Sequence, residues 1–304
     1  MEPGDLGLST STTPRRSRGR RAGLLAALGT VPFFGYLAVF LLLPIGVLAV
    51  EAFRATDPVT YQESWSTDSI VAVTDGAYRR AYLGSLQLSA TTALLAAVLG
   101  LALAVAVLQA KRGRLLRRLV LTASGVLANF GGIPLAFAFI ATIGTSGVVT
   151  ALLGDLGVGL GGFSLYSMTG LGLVYLYFLV PLMVLTIVPA LEGLRPQWRE
   201  ASDNLGASSW QYWRHVGGPV LAPPVIGATM LLFASAFAAY ATARALVGSS
   251  VPLVPLQIAD ALSSNVLVGS ENLGKALALG MVVLVGIVMV FYTWVQRRTQ
   301  RWLQ

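Results

Sequence analysis

Few residues in this 304-residue chain have the chemistry for catalysis, and their spacing argues against it. His215 is the one histidine and there is no cysteine, which excludes a His-cluster metal site, a cysteine–zinc site, a thiol nucleophile and a disulfide. The sequence holds no H-E-x-x-H, no Ser–His pair inside an apolar run and no paired carboxylates. Gly269-Ser270-Glu271-Asn272-Leu273-Gly274-Lys275 has the spacing of a phosphate-binding loop. However, Ala276 stands where a Ser or Thr would hold Mg²⁺, and no Walker B strand accompanies it. The plain expectation is a loop in which Asn272 or Ser270 caps the helix that follows.

A second group is notable for its surroundings. Asn129 and Pro134 interrupt a long apolar run, and a polar group in lipid must find a partner. They read equally well as a pathway-lining kink or as a packing kink. Tyr175, Tyr177, Ser235 and Tyr240 are placed to line a cavity, although tyrosine also anchors helices at membrane interfaces. Arg244, near the end of an apolar run, either snorkels to water or meets an anionic ligand or an external partner. Glu51 is the nearest candidate for the intramembrane acid that an ion-coupled carrier needs.

The elements that must position these residues are set by composition. The chain is 55% hydrophobic and 11% charged, with mean hydropathy +0.73. A soluble domain carries roughly 25% charged residues. The shortfall leaves too few charges for a water-facing surface, so the apolar excess faces lipid. Crossing about 30 Å of hydrocarbon takes about 20 residues at 1.5 Å each. Six stretches qualify: 24–50, 83–110, 119–144, 169–191, 223–245 and 273–295. This predicts an all-α membrane protein, a bundle of six transmembrane helices over 24–304, preceded by a disordered basic tail over 1–23. The first stretch is too long for a cleaved signal peptide and reads as an anchor.

The net charge of +8 would suggest nucleic acid in a soluble protein. Here the basic residues flank apolar spans. Sixteen Lys and Arg fall on the side of the two termini and five on the other, which predicts both termini in the cytoplasm. The outer loops are then 51–82, 145–168 and 246–272. The second of these is Gly-rich and has room for a short interfacial helix.

One predicted cytoplasmic loop, 192–222, is far longer than the 2–8 residues usual between bundle helices. It is not polar filler: Trp198, Leu205, Trp210, Tyr212, Trp213 and Val216 are apolar anchors. Pro196 suits a helix start, and Ala201 and Leu205 share a face with Trp198. Gly206 offers a sharp turn, and Ser208 or Ser209 can cap a second short helix. Gly217-Gly218-Pro219 is expected to end that helix before the next span. The result is an elbow outside the membrane with exposed apolar knobs, which is a docking element.

The same loop resembles binding-protein-dependent ABC importer permeases, whose signature runs E-A-A, three residues, G, nine residues, I-x-L-P. Here it reads Glu200-Ala201-Ser202, Asp203-Asn204-Leu205, Gly206, Ala207 to His215, then Val216-Gly217-Gly218-Pro219. Spacing matches throughout; Ser202 and Gly218 depart in identity, and Gly218 removes an apolar contact. Gly84-Ser85-Leu86 and Asn129-Phe130-Gly131-Gly132-Ile133-Pro134 are also similar to type I importer permeases, the latter most to the polyamine, aminoethylphosphonate and iron(III) group.

The resemblance implies a type I ABC importer permease bundle without catalytic residues, in a multi-pass cytoplasmic (inner) membrane location. Glu200, Ala201, Ser202, Asn204, Leu205, Gly206, Ala207, Trp210 and Pro219 would form the coupling helix. Glu200 would pair with a basic residue or backbone amides of the ATPase, and Gly206 would permit close approach. The implied partners are two ATPase subunits, which use ATP and Mg²⁺, an extracytoplasmic solute-binding protein and a second permease, a paralogue by expectation. The implied solute is a polyamine or another small polar solute. Sugar, phosphonate and iron(III) permeases, and a secondary transporter, are the alternatives.

Overall fold

The second apolar stretch has a small residue at nearly every third or fourth position, and in the computed structural model that spacing becomes a packing face. The structure describes residues 30–57, 60, 62–110, 113–157, 162–263 and 270–300. The expected tail at 1–23 lies outside them. The chain divides into two units, Met1–Val47 and Leu48–Gln304. Helix α1 (30–37) passes through a π turn at Ala38–Leu42, closed by the Leu43 N–H on the Ala38 carbonyl, into α2 (Leu43–Glu51), within which the first unit ends.

After α2 the second unit continues with a small hairpin, β1 (Arg54–Thr56) antiparallel to β2 (Glu63–Trp65), in the register Arg54↔Trp65. Short α3 (Asp68–Val73) leads into α4 (Gly76–Gln109). Ala81, Ser85, Ser89, Thr92, Ala93, Ala96, Ala97, Gly100 and Ala104 form the buried face of α4. Small side chains let backbones approach, the usual basis of helix association in lipid. The partner is α8 (Met168–Glu192), the most buried helix of the bundle. At their crossing a Cβ on Gly100 would lie 2.5 Å from the Met183 Cβ. Around α8 also pack α5 (Gly113–Asn129) and α11 (Gly218–Phe237), and α14 (Ser270–Gln300) packs on α11.

Six helical runs among the described residues are long and apolar enough to cross a bilayer: Thr30–Glu51, Gly76–Gln109, Gly132–Asp155, Met168–Glu192, Ser209–Phe237 and Ser270–Trp294. The fold class is therefore the expected one, but two spans are built differently. The third is not a single rod over 119–144. It is broken after Asn129, and the crossing segment is α6 (Gly132–Ile143) followed by α7 (Val148–Asp155). The break lies at Gly131, which is extended, and Gly132, at φ +74, and Pro134 follows in the first turn of α6, where its missing N–H costs little. The fifth does not run through 223–245. It begins at Ser209 and ends at Phe237, and α12 (Tyr240–Val247) follows a second break at Ala238–Ala239. The remaining helix, α13 (Val254–Ser263), has its first N–H capped by the Ser85 hydroxyl at 2.9 Å.

Asn272 does not cap α14: its amide donates to Thr56 Oγ1 at 3.0 Å, tying the helix to the hairpin. Lys275 is 3.2 Å from Glu51, which also pairs with Arg54 at 3.3 Å. Both charged residues that could have suggested phosphate binding or ion coupling thus hold these elements together.

Candidate functional site

Two places collect the residues singled out by the sequence. The first is the elbow between α8 and α11. Helix α9 (Pro196–Asn204) starts on Pro196, whose missing N–H costs nothing in a first turn. It ends in a Schellman turn: the Gly206 N–H donates to Asp203 O and the Ala207 N–H to Ser202 O, both at 3.0 Å. Gly206 has φ +76, where an L side chain is strained. Among the described residues, chain neighbours aside, none lies within 4 Å of where its Cβ would be, so glycine is needed here for its backbone and not for close packing inside the elbow.

Ser208, not Ser209, then caps α10 (Ser209–Tyr212) in a full capping box. Its hydroxyl accepts from the Gln211 N–H at 3.3 Å, and its own N–H donates to Gln211 Oε1 at 2.7 Å. Arg199 fastens the two helices together. It pairs with Asp203 at 3.2 Å, donates to Ser209 Oγ at 2.7 Å and lies 5.1 Å over the Tyr212 ring. Sequence reasoning passed over Arg199, although its four-residue spacing to Asp203 was a readable signal.

The second short helix does not end at Gly217-Gly218-Pro219. It continues through a π turn, Trp213–Gly217, into α11, with the Gly218 N–H reaching the Trp213 carbonyl five residues back. Pro219 has no N–H to extend an ordinary α ladder, and a π turn accommodates the interruption. A Cβ on Gly217 would lie 2.7 Å from the Trp213 ring, and one on Gly218 would lie 2.5 Å from the Trp213 carbonyl oxygen. Gly218, which departs from the importer pattern, is therefore fitted to the turn beside Trp213.

Burial within the elbow is also redistributed. Tyr212, 5% exposed, Ser202 and Gly217 are its buried residues, whereas Leu205 is 87% and Trp210 72% exposed. Trp198 and Trp213 are only partly covered. Glu200, Ala201, Asn204, Gly206, Ala207 and Pro219 complete the elbow, all solvent-facing except the half-buried Ala207. The structure thus brings eight of the nine sequence-selected residues onto the α9–α10 hairpin, which exposes Leu205 and Trp210, and places the ninth, Pro219, in the first turn of α11.

The second place is a cleft of about 490 Å³ where the two helix breaks meet. Asn129, Gly131, Gly132, Phe178, Ala239 and Tyr240 are among its lining residues. Of the four pathway candidates, Asn129 and Tyr240 line it. Tyr175 lies buried beneath, its hydroxyl donating to the Ala239 carbonyl at 2.8 Å. Arg244 is not in the cleft lining. It pairs with Asp260 on α13 at 2.7 Å and donates to Ser249 at 3.3 Å. The Asn129 amide donates to the Gly125 carbonyl at 2.8 Å. Tyr177 packs edge-on against Phe130 and Phe139. Thr242, which sequence reasoning missed, is 3% exposed and bonded to Gly132 across the breaks. No sequence signal pairs residues 110 positions apart.

Comparison with known proteins gives this geometry a setting. The family described as "Binding-protein-dependent transport system inner membrane component" matches residues 96–301. The spermidine/putrescine transport permease PotB of Haemophilus influenzae is 29% identical over 155 residues, 49% of this chain and 52% of that protein. The thiamine transport permease ThiP of Escherichia coli is 30% identical over 128 residues, 42% of this chain and 24% of that protein. The sulfate transport permease CysT of Escherichia coli is 34% identical over 68 residues, 22% of this chain and 24% of that protein. The chain thus spans about half or less of the length of these curated relatives. A chain of a bacterial ABC transporter that imports the acidic polysaccharide alginate superposes with a TM-score of 0.66 at 18% identity, covering 92% of this chain and 96% of that one.

Proposed function

The chain belongs to the family of inner membrane components of binding-protein-dependent transport systems, and on that premise we propose that it is the permease subunit of an ATP-driven importer of a small polar solute. The observation that carries the proposal is the elbow: a braced pair of helices, exposing Leu205 and Trp210, in line with a crossing helix. Apolar side chains held rigidly in water are suited to a groove on a partner. The partner is a separate ATPase, two copies per transporter, which supplies ATP and Mg²⁺ chemistry; this chain catalyses no step and binds no cofactor.

From Ser209 to Phe237 the chain is one helical run of 29 residues, about 43 Å at 1.5 Å per residue. Its near end is the elbow and its far end the break at Ala238–Ala239. A push on the elbow therefore reaches the cleft through a single rod, the lever that alternating access requires. The cleft is the solute pathway of this subunit, with Asn129 and Tyr240 on its wall. The excess of basic residues on one side supports a cytoplasmic elbow and cytoplasmic termini. A second permease, a paralogue, closes the other side of the pathway, and an extracytoplasmic binding protein delivers the solute.

The relatives transport a polyamine, thiamine or sulfate by their names. Among the described residues, those lining this cleft include no carboxylate to pair with a polyamine. Selection of the solute therefore falls to the binding protein, and polyamine is the first solute to test. The decisive experiment is co-purification of the tagged chain from its native membrane, with ATP hydrolysis and uptake measured in vesicles. Leu205→Asp, Trp210→Ala and Glu200→Lys are expected to insert normally but to lose the ATPase and uptake together. Uptake that persists with the ATPase inactivated would overturn the importer reading.

A further inference from the structure

Where two crossing helices break side by side, the freed backbone groups must be paired, because lipid pairs none of them. Here two of those groups are met by side chains from other elements. The Gly132 N–H at the start of α6 donates to Thr242 Oγ1 at 2.9 Å, and the same hydroxyl points back at the Gly132 carbonyl at 3.4 Å. The Tyr175 hydroxyl from α8 donates to the Ala239 carbonyl at the second break. Thr242 and Tyr175 are 3% and 1% exposed, so neither bond competes with water. Gly132, Ala239 and Thr242 all belong to the cleft wall.

We propose that Thr242 and Tyr175 are the positioning residues of the cleft. Thr242 latches α12 to α6, so that the two breaks keep a common register. Tyr175 pins the α11–α12 break to the central helix α8. Neither acts on the solute. They set the distance between Asn129 on one break and Tyr240 on the other, which is the width of the passage. This rests on the cleft being the pathway, and the test separates the two ideas.

The chain has no cysteine, so an introduced one reports alone on this subunit. Asn129→Cys and Tyr240→Cys are placed one at a time in the full chain within its native transporter, in membrane vesicles. Their reaction rates with a charged methanethiosulfonate are measured without nucleotide and with ATP plus vanadate. In the nucleotide-free state, Thr242→Val should raise the rate at both reporters about tenfold, the change produced by roughly 1.4 kcal/mol. Thr242→Ser, which keeps the hydroxyl, should stay within twofold of the parent. Tyr175→Phe should raise the rate at Tyr240→Cys and leave Asn129→Cys alone. A merely structural role would lower the yield of the variants without this split between reporters. Parent-like rates in Thr242→Val, or equal damage from Ser and Val, would overturn the latch. Should Thr242→Val fail to accumulate, the Tyr175→Phe arm decides, and equal rates at both reporters refute the proposal. Rates that ignore nucleotide in the parent would instead remove the pathway reading, whatever Thr242 does.

Discussion

Replacing Gly206 tests the elbow at its one left-handed residue. At φ +76 an L residue costs about 1–2 kcal/mol. Among the described residues a Cβ there meets nothing within 4 Å beyond its chain neighbours, so the penalty is conformational and not steric. What it strains is the turn closed by the Gly206–Asp203 and Ala207–Ser202 bonds. A penalty of that size shifts a closed-to-open ratio by up to roughly 5–30-fold. Asn tolerates the left-handed region better than Ala. Uptake and solute-stimulated ATP hydrolysis in reconstituted vesicles should therefore fall in the order Gly, Asn, Ala. The melting temperature of the solubilised complex should move little, because the elbow lies outside the packed bundle. If Gly206→Ala transports like the parent, the turn does not limit coupling. If Asn is worse than Ala, side-chain volume against the ATPase governs, and the backbone argument fails.

Three further perturbations address other parts of the structure. Arg199→Ala removes the pair with Asp203, the bond to Ser209 and the contact with Tyr212. The half-exposed ion pair contributes at most about 1 kcal/mol, so the expected change is faster proteolysis within 203–208 and weaker coupling at nearly unchanged melting temperature. Arg199→Lys, which loses the planar fork, should restore only part of it. Gly100→Ala puts a methyl 2.5 Å from the Met183 Cβ and should destabilise the α4–α8 packing by about 1–3 kcal/mol. An unchanged melting temperature would show that the two backbones are not in close contact there. Arg244→Ala, Asp260→Ala and the double variant should share one small uptake defect, since each residue mainly satisfies the other. A far larger loss in Arg244→Ala alone would give Arg244 a direct part in transport.

The sequence determined the membrane class, because 11% charge cannot cover a water-facing surface, and it determined the number of crossing helices through apolar run length. It also marked the elbow residues, since Pro196, Gly206 and Ser208 act on their own backbone within a few residues. Local chemistry of this kind is readable because cause and effect are neighbours in the chain. Where it misjudged, the deciding contact was still near but geometric. Gly217-Gly218-Pro219 read as a stop because glycine and proline usually are one, yet the Trp213 ring lies against Gly217 and the run passes through a π turn instead. Similarly, of the four aromatic residues read as anchors, Tyr212 is buried and the three tryptophans are not.

The meeting of the helix breaks was set by contacts in three dimensions. Asn129 and Pro134 announced one break, and nothing announced that a second, at Ala238–Ala239, would lie beside it. The pairing rests on Thr242 reaching Gly132 across 110 residues and Tyr175 reaching Ala239 across 64. It also drew Arg244 away to Asp260 and Glu51 to Lys275. Apolar run length says that a helix crosses lipid but not which face meets which neighbour, because in lipid both faces are apolar. That choice is made by small residues, hydroxyls and charge pairs meeting in space, and here it turned two separate interruptions into one cleft.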